Sequence, residues 1–112
     1  PHADLTEAAV RVWDWLCAPG HRRLLALWTE AYARSLLDDA GPWGGFAAAT
    51  VADWLSVLAS FQPVAVRRGR TAAARRTAVL ALLRGCLLDL LATEDVDRTT
   101  AAVHGQLRLR RR

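Results

Sequence analysis

The chain has 112 residues, 53% of them hydrophobic, and a formal net charge of +4 at pH 7. This length suits one domain with a single core, and the absence of any run of about 20 uncharged apolar residues excludes an ordinary membrane-spanning helix. The charge excess lies in a C-terminal arginine run rather than on one face, which argues against a nucleic-acid-binding body; the run comprises Arg108, Arg110, Arg111 and Arg112.

The first helix is predicted to begin at Asp4. Its carboxylate can cap the amide of Glu7 while Glu7 reaches back, a variant of the capping box. Pro19 and Gly20 end the helix. The predicted apolar stripe consists of Leu5, Ala9, Val12 and Leu16, flanked by Trp13 and Trp15.

A second helix is predicted from about His21 to Leu37, supported by an i,i+4 pair between Glu30 and Arg34. Ser35 falls within its apolar face. That face comprises Leu24, Leu25, Trp28, Ala31, Tyr32 and Leu36.

Turn-forming residues from Asp38 to Gly45 predict a loop. A third helix then begins at about Phe46, and Pro63 closes it. One face of this helix gathers Ala47, Thr50, Val51, Trp54, Val57, Leu58 and Phe61. The segment from Val64 to Arg70 has no clear pattern.

A long helix is predicted to reach Ala92, with Thr71 as its cap. Its segment from Thr77 to Ala92 is apolar nearly all round, so it must be covered on every side. Large side chains form one face: Val79, Leu80, Leu83, Leu87, Leu90 and Leu91. Small side chains form another, which allows a second backbone to come close and predicts a contact with a second copy of the chain. We assign Ala78, Ala81, Gly85, Leu88 and Ala92 to this dimer interface.

A last helix opens with Thr93 and a group of acidic residues, and its arginine-rich end lies where the helix dipole favours cations. Its apolar seam is narrow, which resembles helix pairing more than a broad core face. This seam, Val96, Thr100, Val103 and Leu107, completes the predicted dimer interface. Sustained alternation of polar and apolar residues is absent, so we predict an all-α protein of about five helices in an antiparallel bundle.

The sequence contains no catalytic or metal-binding constellation. His2, His21 and His104 are far apart, and none has a second ligand three or four residues away. Cys17 and Cys86 lie on apolar patterns, which indicates buried, reduced thiols in a cytoplasmic protein. We therefore expect no enzyme, no cofactor and no metal. The chain begins at Pro1 and has no methionine, so we expect it to be part of a longer protein.

Aromatic residues are the more specific signal, because the chain has five tryptophans. They fit either an ordinary aromatic core or a ligand pocket between helices, in which a few hydroxyl groups would orient the ligand. In the second interpretation the ligand-binding residues are Trp13, Trp28, Tyr32, Ser35, Phe46, Thr50 and Trp54.

Three segments resemble the C-terminal half of TetR/AcrR-type transcriptional regulators. They are HRRLLALWTEAYARSL (His21 to Leu36), GGFAAATVADWLSVL (Gly44 to Leu58) and AVLALLRGCLLDLLATEDVDRTTAAV (Ala78 to Val103). Within the third, the run LLRGCLLDLLAT is the most distinctive.

This resemblance implies a bacterial effector-binding and dimerisation domain over residues 1–112. Its last two helices would pair with those of a second subunit in a four-helix bundle. A small apolar or aromatic effector would change operator affinity through an N-terminal helix-turn-helix that is absent from this chain. The alternative is a helical protein-interaction module whose apolar groove holds a partner helix without a small-molecule ligand.

Overall fold

The computed structural model describes residues 4–111, with side chains for residues 4–108. Within this part, the chain forms five α-helices and no strands, which confirms the predicted all-α fold class. The helices are α1 (Leu5–Leu16), α2 (Arg22–Leu37), α3 (Phe46–Ala59), α4 (Arg70–Thr93) and α5 (Val96–Arg111). Pro1, His2, Arg112 and the side chains of Arg110 and Arg111 lie outside the described residues, so the predictions for the arginine run and for His2 are not addressed by it.

The central element is α4, which packs against α1, α3 and α5. Its large face is buried as predicted, with Val79 and Leu83 at most 1% exposed and Leu80, Leu87 and Leu90 also in the core. Burying one such side chain contributes about 1.5–3 kcal/mol relative to leaving it in water. The large face of α4 therefore accounts for much of the stability of the bundle.

The first helix begins as predicted, because the Asp4 carboxylate accepts a hydrogen bond from the Glu7 amide at 2.8 Å. The Glu7 side chain pairs with Arg11 at 3.5 Å rather than reaching back to Asp4. Three of the four residues of the predicted stripe, Leu5, Ala9 and Leu16, are in the core, and the buried face is shifted toward Trp13. Trp13 is fully buried, whereas Val12 is half-buried and Trp15 is 44% exposed.

The second and third helices bury fewer apolar side chains than the sequence pattern predicts. Leu24 and Leu36 on α2 and Val57 on α3 are exposed, and so is Phe61, which follows the end of α3. α2 packs mainly against α3 and so buries only a narrow arc, whereas α3 also packs against α1 and α4. The buried residues of the two helices are Leu25, Ala31, Ser35, Ala47 and Leu58.

Turns fill the segment between α3 and α4, and Gln62 fixes it to the start of α4. The Gln62 side chain donates to Ala72 O at 2.9 Å and accepts from Arg76 at 3.0 Å. The predicted cap, Thr71, is wrong: α4 begins at Arg70 and its N-cap is Gly69. Thr71 already lies inside the first turn, where its hydroxyl cannot take the capping position.

The α4–α5 connection is only two residues long, and Glu94 adopts a left-handed conformation with φ 59°. Asp95 caps the next helix by accepting from the Arg98 amide at 3.1 Å. This tight turn places α5 antiparallel beside α4, and the buried side of α5 then faces the chain's own core.

Candidate ligand-binding site

An apolar cavity of about 220 Å³ lies between the first four helices. Every lining side chain but one is hydrophobic, and the exception is Arg84. Small-molecule sites commonly combine an apolar wall with a few polar groups. The lining residues are Val12, Trp15 and Leu16 from α1, Leu24, Leu25 and Trp28 from α2, Trp54 from α3, and Leu80, Leu83, Arg84 and Leu87 from α4.

Two of the seven predicted ligand-binding residues meet in this wall, Trp28 and Trp54. They come from different helices and both are half-buried, so their rings cover the cavity without filling it. Trp15 stands at the rim, stacked on His21 with ring centroids 4.0 Å apart. A neutral planar or aliphatic molecule would contact aromatic rings from three helices here.

The aromatic ring of Tyr32 packs beside Trp28, with ring centroids 5.3 Å apart. Tyr32 does not line the cavity, but it lines an open groove of about 310 Å³ between α2 and α4. Trp28 and Arg84 line both spaces. The pair therefore forms the partition between the apolar cavity and the groove.

The other predicted ligand-binding residues lie elsewhere. Trp13 is buried beneath α5, where its indole nitrogen donates to Thr100. Ser35 donates to Tyr32 O at 2.8 Å and accepts from the Ala47 amide at 3.0 Å, so it joins α2 to α3. Thr50 donates to Ala47 O at 2.9 Å, and Phe46 packs edge-on against Trp43 in the loop. None of these side chains lines the cavity.

Among the described residues, Arg84 is the only charged one that lines the cavity. The Arg84 side chain is half-buried, and its Nη1 donates to the Tyr32 hydroxyl at 3.3 Å. All eleven acidic residues fall within the described part of the chain, and none of their carboxylates lies within 4.0 Å of Arg84. The guanidinium therefore borders an apolar cavity without a carboxylate partner.

Several lining residues were not predicted from the sequence. Leu80, Leu83 and Leu87 lie on the large face of α4. Their apolar pattern predicts burial, and it is the same whether that face lines a cavity or a filled core. Arg84 is one of two charged residues in the otherwise apolar segment from Thr77 to Ala92, and sequence spacing does not connect it to a ligand. Sequence spacing could not assign Val12, Trp15 and Leu24 to the cavity, because their positions depend on how α1 and α2 are rotated relative to α4.

The residues of the predicted dimer surface are exposed on α4 and largely buried on α5. On α4, Ala81, Gly85, Leu88 and Ala92 are exposed and Ala78 is half-buried, so the small face is uncovered in the single chain. On α5, Val103 and Leu107 are at most 1% exposed within the chain's own core, and Thr100 is engaged with Trp13. This placement corrects the interpretation of the α5 seam: it packs inward, and Val96 is its exposed member.

No set of three His, Cys, Asp or Glu side chains among residues 4–108 is arranged to hold a metal ion. None of the described helices is both long enough and apolar enough to cross a bilayer. The thiols of Cys17 and Cys86 are free and half-buried. Burial is the main cause that raises the pKa of each thiol, and the nearby carboxylates of Asp14 and Asp89 add to the effect on Cys17 and Cys86, respectively.

Comparison with known proteins identifies no relative: no protein-family model, no curated protein and no solved structure matches the chain. Its functional assignment accordingly rests on the helical architecture, the apolar cavity and the uncovered small face of α4.

Proposed function

We propose that this chain is the effector-binding and dimerisation domain of a TetR-like transcriptional regulator, and that its effector is a small apolar or aromatic molecule. The cavity between α1, α2, α3 and α4 carries the proposal. At about 220 Å³ it exceeds the dry, apolar cavity of about 150 Å³ that binds benzene in an engineered protein. A ring with a short alkyl chain therefore suits it.

Dimerisation through the small face of α4 is the second part of the proposal. Gly85 is exposed, and a Cβ added there would meet no atom within 4 Å. A glycine in the middle of a helix costs about 1 kcal/mol relative to alanine, and close approach of a second backbone offsets that cost. The apolar Leu88, 51% exposed, would be buried by the same contact.

The cavity and the small face are adjacent, which supports a sensing mechanism. Arg84 lines the cavity, and it also lines the groove that contains Ala81, Gly85 and Leu88. An effector that moves Arg84 would alter the surface offered to the second subunit. Such a ligand shifts the dimer between two arrangements only through its unequal affinity for them. Operator DNA would be bound by a helix-turn-helix domain outside this sequence, in the bacterial cytoplasm.

Ligand binding is tested with two small apolar probes, toluene and indole, by calorimetry and by the shift in melting temperature. Leu24 lines the cavity and is 57% exposed, so Leu24→Trp adds bulk at the mouth without disturbing the core. We expect this variant to weaken binding by roughly tenfold or more, because the new ring takes the apolar contact area of the ligand. Leu27→Trp is the matched control, since Leu27 is 56% exposed on the same helix and does not line the cavity.

Failure of both probes to bind the wild-type chain would contradict a sensing role. Equal loss of binding in the two tryptophan variants would show that the probes bind outside the cavity.

A protein-interaction module is the second candidate, favoured by exposed leucines on α2. Leu36 and Leu37, at the end of α2, are 67% and 87% exposed, and a separate open groove between α2 and α4 is lined by Trp28, Tyr32 and Leu88. An amphipathic helix can place its apolar face in such a groove. This function predicts that a leucine-rich amphipathic peptide shifts the NMR resonances along α2, whereas toluene and indole bind nowhere.

A further inference from the structure

The side chain of Arg84 is placed where it would receive the charged end of a ligand. Four of its five N–H donors make no hydrogen bond to any described residue, since the only bond is the one from Nη1 to the Tyr32 hydroxyl at 3.3 Å. The side chain is nevertheless half-buried, and it lines the apolar cavity together with Trp28 of α2. Keeping a cation partly out of water without an anion costs free energy.

The other three partly buried arginines among residues 4–108 also have polar partners, and one of them, Arg75, has a single hydroxyl partner as Arg84 does. Arg67 donates to Gln62 O, Arg75 donates to the Thr6 hydroxyl, and Arg76 donates to Gln62 and to Arg67 O. Arg84 differs in that it lines a cavity whose other side chains are all aliphatic or aromatic. Its position resembles the anion-recognition end of an apolar site rather than a structural clamp.

We infer that the effector is an apolar carboxylate whose hydrocarbon part fills the cavity and whose carboxylate binds Arg84. A guanidinium can hold a carboxylate through two parallel hydrogen bonds. Tyr32 reinforces this geometry, because its hydroxyl oxygen accepts from Arg84 and its own proton is then free to donate to the same carboxylate. The inference rests on the proposed function, since it names the chemical class of the ligand of that cavity.

The position of Arg84 between the cavity and the groove explains why a carboxylate is tolerated at that end of the ligand. Arg84 and Trp28 line both the cavity and the open groove. In the single chain, a carboxylate at Arg84 would stay in contact with water through this groove while the hydrocarbon part lies in the cavity, so the desolvation cost of the ion pair is smaller than in a closed core. A second subunit seated on Gly85 and Leu88 would cover the groove and raise that cost.

The test compares 4-phenylbutyrate with 4-phenylbutan-1-ol, which share the ring and the chain and differ in the charged end. We expect the wild-type protein to bind the acid about tenfold more tightly than the alcohol, as hydrogen bonds to charged groups are stronger than neutral ones. That preference should fall as NaCl is raised, because salt screens partly exposed charges.

Substitutions then assign the preference to a residue. Arg84→Gln should remove most of the advantage of the acid and leave the affinity for the alcohol within about twofold, since only the charged contact is lost. Arg84→Lys should retain part of the advantage, because the charge stays and the planar fork is lost. Tyr32→Phe should reduce the affinity for the acid alone. Arg23→Gln, at an exposed arginine of α2 that lines neither space, is the control and should change nothing.

The outcomes separate this inference from the function on which it rests. If the alcohol binds in the cavity as tightly as the acid, or if Arg84→Gln weakens both equally, the carboxylate assignment is overturned and the apolar site stands. If neither compound binds, and toluene and indole also fail, then the site itself is overturned together with the inference.

Discussion

The indole nitrogen of Trp13 lies 2.9 Å from the hydroxyl oxygen of Thr100, and this hydrogen bond joins the first helix to the last. Trp13 is fully buried, so the bond satisfies a donor that water cannot reach. It also explains two outcomes at once. The Trp13 side chain packs against α5 and does not line the cavity, and the Thr100 side chain faces the chain's own core.

Replacing Thr100 by valine should therefore destabilise the fold without affecting the cavity. The change keeps the side-chain shape and leaves the buried indole N–H without an acceptor, which costs about 1–3 kcal/mol. Urea unfolding measures the loss. Thr100→Ser retains the hydroxyl and should lie closer to the wild type. Equal stability of the valine variant and the wild type would show that the bond contributes nothing.

The buried Ser35 holds the start of α3 against α2 in a comparable way. Its hydroxyl accepts from the Ala47 amide, one of the first amides of α3, which have no acceptor within their own helix. Ser35→Ala should lower the free energy of unfolding by about 1–3 kcal/mol, because that amide loses its acceptor while buried. Ser56→Ala, on the exposed side of α3, is the matched control and should stay within about 0.5 kcal/mol of wild type. A smaller effect for Ser35 than for Ser56 would contradict this role.

The large face of α4 was predictable because periodicity alone decides it. Val79, Leu83 and Leu87 repeat at helical spacing, and a helix of this hydrophobicity has to be buried along them. The start of α1 was predictable for a similar reason, since Asp4 and Glu7 interact locally. In both cases the residues that determine the outcome are close in the sequence.

The cavity was harder to predict because it depends on how the helices are rotated about their axes. Trp13 and Trp28 have the same character in the sequence, yet one bonds to α5 and the other lines the cavity. In the sequence the hydroxyl of Ser35 suits a ligand equally well, whereas in the fold it accepts from the amide of Ala47. Such partners are distant in the chain, and spacing patterns carry no information about them.

Asp89 and Arg98 stabilise the α4–α5 turn in a pH-dependent manner. Arg98 Nη1 donates to the Asp89 carboxylate at 2.9 Å and Nη2 donates to its other oxygen. These bonds, with a smaller contribution from Thr93, lower the pKa of Asp89. Because this pKa is lower in the folded than in the unfolded chain, the stabilisation is present above the unfolded pKa and is lost as the pH falls through the folded one.

Asp89→Asn should therefore be less stable than wild type at pH 7. The difference should shrink as the pH falls below about 4, where the aspartate of the unfolded chain takes up a proton, and further as the pH approaches the lower pKa of the folded state. Chemical denaturation at several pH values measures it. Asp53→Asn is the control, since Asp53 is exposed on α3 and forms no ion pair with a described residue. A difference between wild type and Asp89→Asn that stays constant from pH 7 to pH 3 would rule out this linkage.

Cys17 and Cys86 should react slowly with thiol reagents in the folded protein. Burial raises the pKa of both thiols, so less of the nucleophilic thiolate is present at neutral pH than in an exposed cysteine. Alkylation by iodoacetamide should be slower at pH 7.5 than in the urea-unfolded chain and should accelerate with rising pH. Cys17→Ser and Cys86→Ser, each leaving one thiol, assign the rates. A folded-state rate equal to the unfolded one would show that the thiols are freely accessible.

Gly85 offers the sharpest test of the proposed dimer, because a side chain fits there in the single chain. A Cβ at Gly85 has nothing within 4 Å, so Gly85→Ala should raise the stability of a monomer by up to about 1 kcal/mol. In a dimer that uses this face, Gly85→Glu would bury an unpaired charge and weaken association by roughly tenfold or more. Analytical ultracentrifugation measures the association, and circular dichroism confirms that the helices remain.

The matched control for the charge is Ala33→Glu, at an exposed position of α2 on the side away from its buried residues. This variant should dimerise like the wild type. A wild-type chain that sediments as a monomer at every concentration, or a Gly85→Glu chain that associates as tightly as Ala33→Glu, would remove the small face of α4 as an interface. The apolar cavity would then stand as a site formed by α1, α2, α3 and α4 of a single chain.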